Sequence, residues 1–336
     1  MIRFRYFLLL IPLCSLLLSS CIDEEEFPDS PDGNFEALWK IMDEHYCFFD
    51  EKGVNWDEVH TKYQKQLNTG MSDAHLFEVC ANMLSELKDG HVNIFSSFDM
   101  ARNWSWHEDY PENYDELLIN HYLGTDYKIA SSLRYKILDD NVGYLQYSSF
   151  QSDFGAGNID QVLIEFAPCQ ALIIDIRNNS GGLLSVAEKL AARFTNEEIL
   201  VGYMRHKTGK GHNDFSDREA EYLEPSSRFR WQKPTVVLTN REVYSAANDF
   251  VKMMTCFPEV RTVGDQTGGG AGLPFTSTLP NGWTVRFSAC PSYDRNGNQI
   301  EFGIAPDYSV GQTDEDFAKG RDTLIEFARK LLAEWK

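Results

Sequence analysis

The sequence predicts an α/β protein with a mostly parallel sheet, preceded by a small N-terminal helical subdomain. From residue 134 onward, strand-like apolar segments alternate with helical patterns, which is typical of strands joined by crossover helices. Two of these segments, 171–176 and 235–239, are almost continuously apolar, as in strands buried on both faces of a sheet. Residues 34–95 instead carry apolar residues at helical spacing, which separates them from the core at 134–336.

The N-terminal region 34–95 is predicted to contain three helices and one strand. The first helix spans about 35–49. The second begins at Asn55, since Glu58 three residues later completes a cap-like pair, and the third begins at Ser72. Glycine and charged residues then break the helical pattern before a short strand at 92–95.

Residues 96–133 show no periodicity and are predicted to form an irregular insertion on the surface. The segment is rich in aromatic side chains. These residues either line a substrate cleft or cover the core, and the sequence leaves both readings open; they are Trp104, Trp106, His107 and Tyr110.

The core is predicted from a regular succession of elements. The expected strands are 134–138, 142–147, 171–176, 199–204, 235–239, 260–263 and 284–288. The expected helices are 159–166, 183–194, 245–256 and a last one that begins at Asp314. The polar stretch 208–232 is predicted to be a long loop.

The first twenty residues are interpreted as a signal peptide. Arg3 and Arg5 precede a thirteen-residue, mostly apolar run, too short to span a bilayer, which needs about 20 residues. Leu18-Ser19-Ser20-Cys21 resembles a bacterial lipoprotein signal, in which cleavage leaves Cys21 as the lipidated first residue. The alternative is an ordinary signal peptide with a chance cysteine.

Residues 21–33 are interpreted as an acidic, solvated tether, because they offer almost nothing to bury. The acidic run after Cys21 resembles the surface-export signal of Bacteroidetes lipoproteins, and the alternative is a soluble spacer. Together these features predict a lipid-anchored protein of a bacterial cell envelope, in the outer membrane, which is exposed at the cell surface if the acidic run is an export signal.

Charge and cysteine content limit the partners. Removing residues 1–20 removes two arginines and no acidic residue, so 29 basic and 51 acidic residues remain, a net charge of −22. Such a surface repels nucleic acid and anionic headgroups, so we expect membrane contact through the lipid only. Five widely spaced cysteines follow Cys21 without a C-x-x-C pair, which predicts buried free thiols and neither a zinc site nor a disulfide scaffold. No metal or cofactor is expected.

Three segments place a reactive side chain or paired glycines at the end of a predicted helix or strand. Asp89-Gly90-His91 lies at a helix-to-strand junction, although a lone histidine is usually structural. Paired glycines end the segment Asp175–Gly182, where backbone N–H groups can converge on an anion or simply form a turn. Ser245 opens a helix, a position that suits either an N-cap or a nucleophile beside the positive helix end.

In order, these segments resemble the C-terminal processing (tail-specific) serine peptidase family, specifically its tricorn-like branch. The resemblance spans about residues 35–310, and Gly264–Gly268, Leu279–Gly282 and Gly303–Asp307 follow in the family's order. Many relatives carry a PDZ domain after the histidine segment. The stretch between Phe95 and Arg134 is too short for one.

The resemblance implies a ClpP/crotonase-like core and hydrolysis of peptides or unfolded chains. Ser245 is then the nucleophile and His91 the general base. Backbone N–H groups of Gly181 or Gly182 and of Ala246 would form the oxyanion hole.

Two further positions decide between catalytic schemes within that family. One branch of the family uses a lysine as the base. In this chain Gly270 occupies the position where that lysine is expected, and Lys252 lies too far along the helix to reach the serine. Glu301 is the nearest match to the carboxylate that orients the histidine, although it stands two residues before Gly303 instead of three. A non-catalytic peptide- or ligand-binding lipoprotein and a serine esterase on the same fold remain alternatives.

Overall fold

A computed structural model describes residues 26–335 of the chain. The predicted signal peptide and the predicted lipidation site at Cys21 lie outside the described residues. No helix within 26–335 is long and apolar enough to cross a membrane. The five cysteines that follow Cys21 are all buried and free, as predicted.

Four helices form the N-terminal region: α1 (Pro31–His45), α2 (Phe49–Lys52), α3 (Trp56–Gln64) and α4 (Asp73–Ser85). The predicted starts of α3 and α4 are confirmed, because Asn55 and Ser72 each accept a backbone N–H with their side chains. The tether was predicted too long. Ser30 caps α1 and Pro31 occupies its first turn, so the helix begins inside the segment 21–33.

The larger sheet has seven strands in the order β13-β10-β9-β6-β5-β4-β3. Its strands are β3 (Lys128–Ala130), β4 (Leu133–Ile137), β5 (Val142–Gln146), β6 (Ala171–Asp175), β9 (Thr235–Thr239), β10 (Val260–Gly264) and β13 (Tyr308–Ser309). The five strands from β13 to β5 are parallel, and β4 and β3 continue the sheet antiparallel. This confirms the predicted mostly parallel sheet.

Helices cover both faces of this sheet, which explains its continuous apolar strands. The five helices involved are α5 (Glu116–Leu123), α6 (Ala156–Glu165), α7 (Leu184–Ala191), α8 (Ala246–Met254) and α10 (Thr323–Glu334). Along β6 the side chains alternate: Leu172 and Ile174 pack with α6, α7 and α8, whereas Ile173 packs with α5 and α10.

A second, antiparallel sheet was only partly predicted. It joins β2-β1-β12-β7-β8, with β11 also paired to β12. Its strands are β1 (Asn93–Phe95), β2 (Met100–Arg102), β7 (Ile199–Met204), β8 (Glu219–Leu223), β11 (Gly272–Thr278) and β12 (Thr284–Asp294). Strand β8 lies inside the predicted loop 208–232, because main-chain pairing with β7 holds a polar segment that has no strand pattern of its own.

The segment 96–133 is more regular than predicted. It contributes β2 to the antiparallel sheet, a 3₁₀ turn at Ser105–His107, α5 on the core and β3 at the edge of the larger sheet. The last predicted helix is also divided. Gly320, with φ of 68°, separates α9 (Asp314–Ala318) from α10, which Asp322 caps.

The antiparallel sheet separates the N-terminal helices from an open cleft. Ile94, Val285 and Phe287 point into the hydrophobic core beneath α1, α3 and α4. Asn93 and Arg286 occupy the alternate positions and line the cleft. The residues immediately before β1 are therefore held at the border between this core and the cleft.

Candidate active site

Ser245 stands in a strained turn between β9 and α8. Its φ of 55° and ψ of −128° are unfavourable for a residue with a side chain, and such strain is common at functional sites. Its N–H donates to the Gly269 carbonyl at 2.8 Å, which anchors the turn. The hydroxyl makes no capping hydrogen bond to α8. Instead, Ser245 Oγ lies 2.9 Å from Nε2 of His91.

His91 is held at the start of β1 by the residues around Asp89. Oδ1 of Asp89 accepts the His91 backbone N–H at 2.7 Å. Oδ2 accepts the hydroxyls of Tyr46 at 3.0 Å and Ser288 at 2.9 Å. Tyr46 follows the last residue of α1, and Ser288 lies in β12. The position of His91 therefore depends on contacts between segments that are distant in sequence.

The environment keeps His91 neutral. The residue is only 4% exposed, and burial lowers the pKa of its ring to about 4, against the opposing attraction of Asp89. The charges of Arg286 and Lys52 lower this pKa further. The ring is therefore unprotonated near neutral pH and can accept a proton at Nε2. Within residues 26–335, its Nδ1 is buried without a hydrogen-bond partner, and the nearby Gly272 backbone favours the charged form of the ring.

Glu301 does not orient His91 as the resemblance implied. Its Oε1 lies 2.9 Å from Nζ of Lys52, and its Oε2 accepts the Ala271 N–H at 2.9 Å. Burial raises the pKa of Glu301 to about 7, and the nearby charge of Asp89 adds to that rise. Burial also opposes the charge of Lys52, but Glu301 and Asp89 outweigh it and raise the Lys52 pKa. Glu301 therefore pairs with the largely buried Lys52.

Gly181 packs directly against the serine turn. Its φ is 96°, and a Cβ there would lie 2.6 Å from the Tyr244 carbonyl oxygen and 2.9 Å from the Ala246 nitrogen. The Gly181 N–H already donates to Oδ1 of Asn179 at 3.0 Å. Within residues 26–335, the N–H groups of Gly182 and Ala246 have no acceptor. These two N–H groups are thus available for a ligand.

The position where a lysine base would be expected, Gly270, has no side chain, and the nearby Lys252 is bound to other groups. A Cβ on Gly270 would lie 2.4 Å from the Tyr244 ring, which stacks on Trp106 at 4.2 Å between centroids. The ring therefore fills the space that a side chain at 270 would need. Nζ of Lys252 lies 2.9 Å from both Glu221 and Ser292. Burial disfavours its charge, but the Asp249 and Glu221 carboxylates more than offset this and raise the Lys252 pKa.

Ser245 and His91 open onto a cleft of about 730 Å3, a size typical of ligand sites. Trp104, Trp106 and His107 of the insertion line it, whereas Tyr110 instead lies under the guanidinium of Arg241. The cleft also contains two arginines that the sequence did not single out, Arg102 and Arg286. No sequence pattern marks them, because only the pairing of β1 with β2 and β12 brings them together.

Known proteins resemble the chain over almost its whole length. A crystal structure of a candidate peptidase from Parabacteroides merdae is 53% identical in sequence. It superposes with a TM-score of 0.87 and covers 91% of this chain and 97% of its own. The profile of peptidase family S41 matches residues 141–310, and that of the tricorn protease C1 domain matches residues 27–85.

The chain belongs to peptidase family S41. A curated relative, the carboxy-terminal processing protease CtpA of Bacillus subtilis, is 25% identical over 170 residues, 50% of this chain. The chain spans only 34% of that relative's length. The structure of mature CPAF complexed with lactacystin has a TM-score of 0.68 at 12% identity and covers 90% of this chain and 98% of its own, which shows a shared fold. Membership in family S41 confirms the predicted family and its α/β fold.

Proposed function

We propose that the chain is a serine peptidase that hydrolyses peptide bonds in peptides or unfolded chains outside the cytoplasm. The observation that carries the proposal is the 2.9 Å contact between Ser245 Oγ and His91 Nε2 at the floor of an open cleft. Nucleophile and base within hydrogen-bond reach are the requirement for activating a serine hydroxyl. Family membership supports the reaction class.

His91 begins the reaction as a neutral base. Ser245 Oγ attacks the scissile carbonyl carbon while Nε2 takes the hydroxyl proton. The carbonyl oxygen gains negative charge, which the free N–H groups of Gly182 and Ala246 stabilise, together with the positive end of α8. The protonated ring then gives the proton to the leaving amine, and an acyl-enzyme remains on Ser245.

Water completes the turnover through the same groups. His91 takes a proton from a water molecule, whose oxygen attacks the acyl carbon. The bond from that carbon to Ser245 Oγ then breaks, His91 returns the proton to Oγ, and the product acid is released. Asp89 acts as a positioning residue in both steps, because it holds the His91 backbone and carries a charge that favours the transient imidazolium. Glu301 has no direct contact with the reacting atoms in this scheme.

The location of the enzyme is proposed from the N-terminal sequence. Leu18-Ser19-Ser20-Cys21 supports lipidation of Cys21 after removal of residues 1–20, and the acidic run that follows supports export to the outer membrane. Mass spectrometry of the N-terminus purified from native membranes should show acyl chains on Cys21. An unmodified N-terminus at another residue would refute the anchor and leave the peptidase proposal intact.

Hydrolysis by the full chain tests the activity. We expect wild-type protein to cleave an unstructured quenched peptide and Ser245→Ala protein not to cleave it, while both bind the peptide. A panel of small esters measured in parallel separates a peptidase from an esterase, because an esterase would turn over esters and leave every peptide intact. Binding without hydrolysis of either class by wild-type protein would favour the non-catalytic alternative.

A further inference from the structure

Arg102 and Arg286 are unpaired cations in a chain rich in carboxylates. The full sequence has 51 acidic and 31 basic residues, so partners are abundant. Five other arginines of the described chain lie in ion pairs with carboxylates: Arg134, Arg177, Arg193, Arg228 and Arg329. Within residues 26–335, the side chains of Arg102 and Arg286 form no hydrogen bond or ion pair with any protein group.

The strand register places these two arginines on one face of the antiparallel sheet. Asn93 of β1 is opposite Arg102 of β2 on one side and opposite Arg286 of β12 on the other. Neighbouring strands are about 4.8 Å apart, so the two arginine backbones flank Asn93 at that distance on each side. All three residues line the cleft that contains Ser245 and His91. Two cations are therefore directed into the same space beside the serine.

The surroundings favour an anion in that space. The Arg102 guanidinium lies 3.5 Å from the centroid of the Trp104 ring, a contact that restricts the side chain before a ligand arrives. Of the described residues that line the cleft, only Glu242 is acidic, and its carboxylate faces His107 at 3.6 Å. Among the residues that the structure describes, no carboxylate therefore neutralises the arginines.

We infer that Arg102, Arg286 and Asn93 form a carboxylate-binding subsite beside Ser245, which selects peptides with a carboxylate close to the scissile bond. The guanidinium fork is suited to binding a carboxylate through two parallel hydrogen bonds. The carboxylate comes either from an acidic side chain or from the C-terminus of the peptide. This inference rests on the proposed peptidase function and names its substrate class.

Matched peptides of one sequence distinguish the two sources. In one set, Glu replaces Gln at successive positions around the cleaved bond while the C-terminus stays amidated. In the other set, the Gln-only peptide ends in a free acid or an amide. In one of the two sets, we expect kcat/KM of wild-type protein to be about 10- to 100-fold higher for the peptide with the carboxylate than for its neutral counterpart. This is the range expected for a hydrogen bond to a charged group.

Arginine variants test the assignment of the residues. Arg286→Gln and Arg102→Gln should each reduce the carboxylate-to-neutral ratio at least fivefold, and Arg286→Lys should reduce it less. Arg321→Gln is the matched control, because it removes the same charge from an exposed side chain outside the cleft, and its ratio should equal that of wild-type protein. Melting temperatures of all variants establish that each is folded.

Failure of the subsite is distinguishable from failure of the proposed function. If peptides are cleaved with no carboxylate preference, or if the preference survives both glutamine variants, the subsite is refuted and the peptidase stands. If wild-type protein cleaves nothing, fluorescence anisotropy of the labelled peptides on Ser245→Ala protein still tests binding. If the Ser245→Ala protein binds carboxylate peptides more tightly and Arg286→Gln abolishes this preference, the subsite is supported without the peptidase function. Equal affinity for all peptides would refute the subsite.

Discussion

Ser245 and His91 come from two halves of the molecule that hold their residues in different ways. The α/β half fixes Ser245 through backbone contacts, with a strained turn anchored on Gly269 and packed against Gly181. The antiparallel half fixes His91 through buried side chains, with Asp89 linked to Tyr46 and Ser288. The nucleophile should therefore be most sensitive to added bulk near its backbone, and the base to loss of polar side-chain groups.

Loss of either reacting side chain should have the largest effect. Ser245→Ala and His91→Ala should each lower kcat/KM for an unstructured peptide by about 10³-fold or more. The double variant should be no worse than the single variants, because the two groups act as one unit. Fully additive losses, or near-wild-type hydrolysis by His91→Ala, would mean that the two halves do not meet in catalysis.

Added bulk at Gly181 should disturb the nucleophile side. The new Cβ of Gly181→Ala would meet the Tyr244 carbonyl at 2.6 Å, so the Ser245 turn must shift, and we expect kcat/KM to fall about 10- to 100-fold. Gly157→Ala is the control, since nothing lies within 4 Å of its Cβ on α6 and its activity should match wild type. Equal activity of the two variants would contradict a backbone-fixed serine.

Removal of a polar group that supports His91 should lower kcat/KM to a smaller extent. Asp89→Asn removes a negative charge that raises the His91 pKa, so kcat/KM should fall about tenfold. In the pH profile of kcat/KM, the acid limb, where activity is lost on acidification, should move to lower pH. Tyr46→Phe keeps that charge and removes one hydrogen bond to Asp89, so we expect a few-fold loss with an unshifted limb. The pH dependence of kcat/KM separates the two outcomes. An upward shift in Asp89→Asn would exclude the proposed role of its charge.

Replacement of Lys252 should affect stability more than activity. Lys252→Met removes a buried ammonium from its contacts with Glu221 and Ser292, and we expect the free energy of unfolding to fall by about 1–3 kcal/mol. Below the melting temperature, kcat/KM should remain within about threefold of wild type. Urea unfolding and peptide assays measure both quantities. A folded variant without activity would revive a lysine-dependent mechanism.

The two halves also differ in how much of their secondary structure could be predicted from sequence. Buried runs such as 171–175 carry an apolar signal of their own, so the parallel strands and the helix after Ser245 were predictable. Strand β11 is largely exposed and lacks a buried apolar run, and it exists because β12 pairs with it. The same dependence on long-range contacts applies to Glu301, whose ion-pair partner Lys52 comes from α2, far away in sequence.

The most direct test of a buried neutral histidine acting on Ser245 is covalent labelling of the full chain by a fluorophosphonate. We expect the label to map to Ser245 by peptide mass spectrometry and His91→Ala to slow labelling about 10³-fold. A base must be unprotonated, so a His91 pKa of about 4 predicts that labelling stays fast as pH falls through 6 and is lost only near pH 4. Labelling of another residue, or a rate that His91→Ala leaves unchanged, would contradict the account.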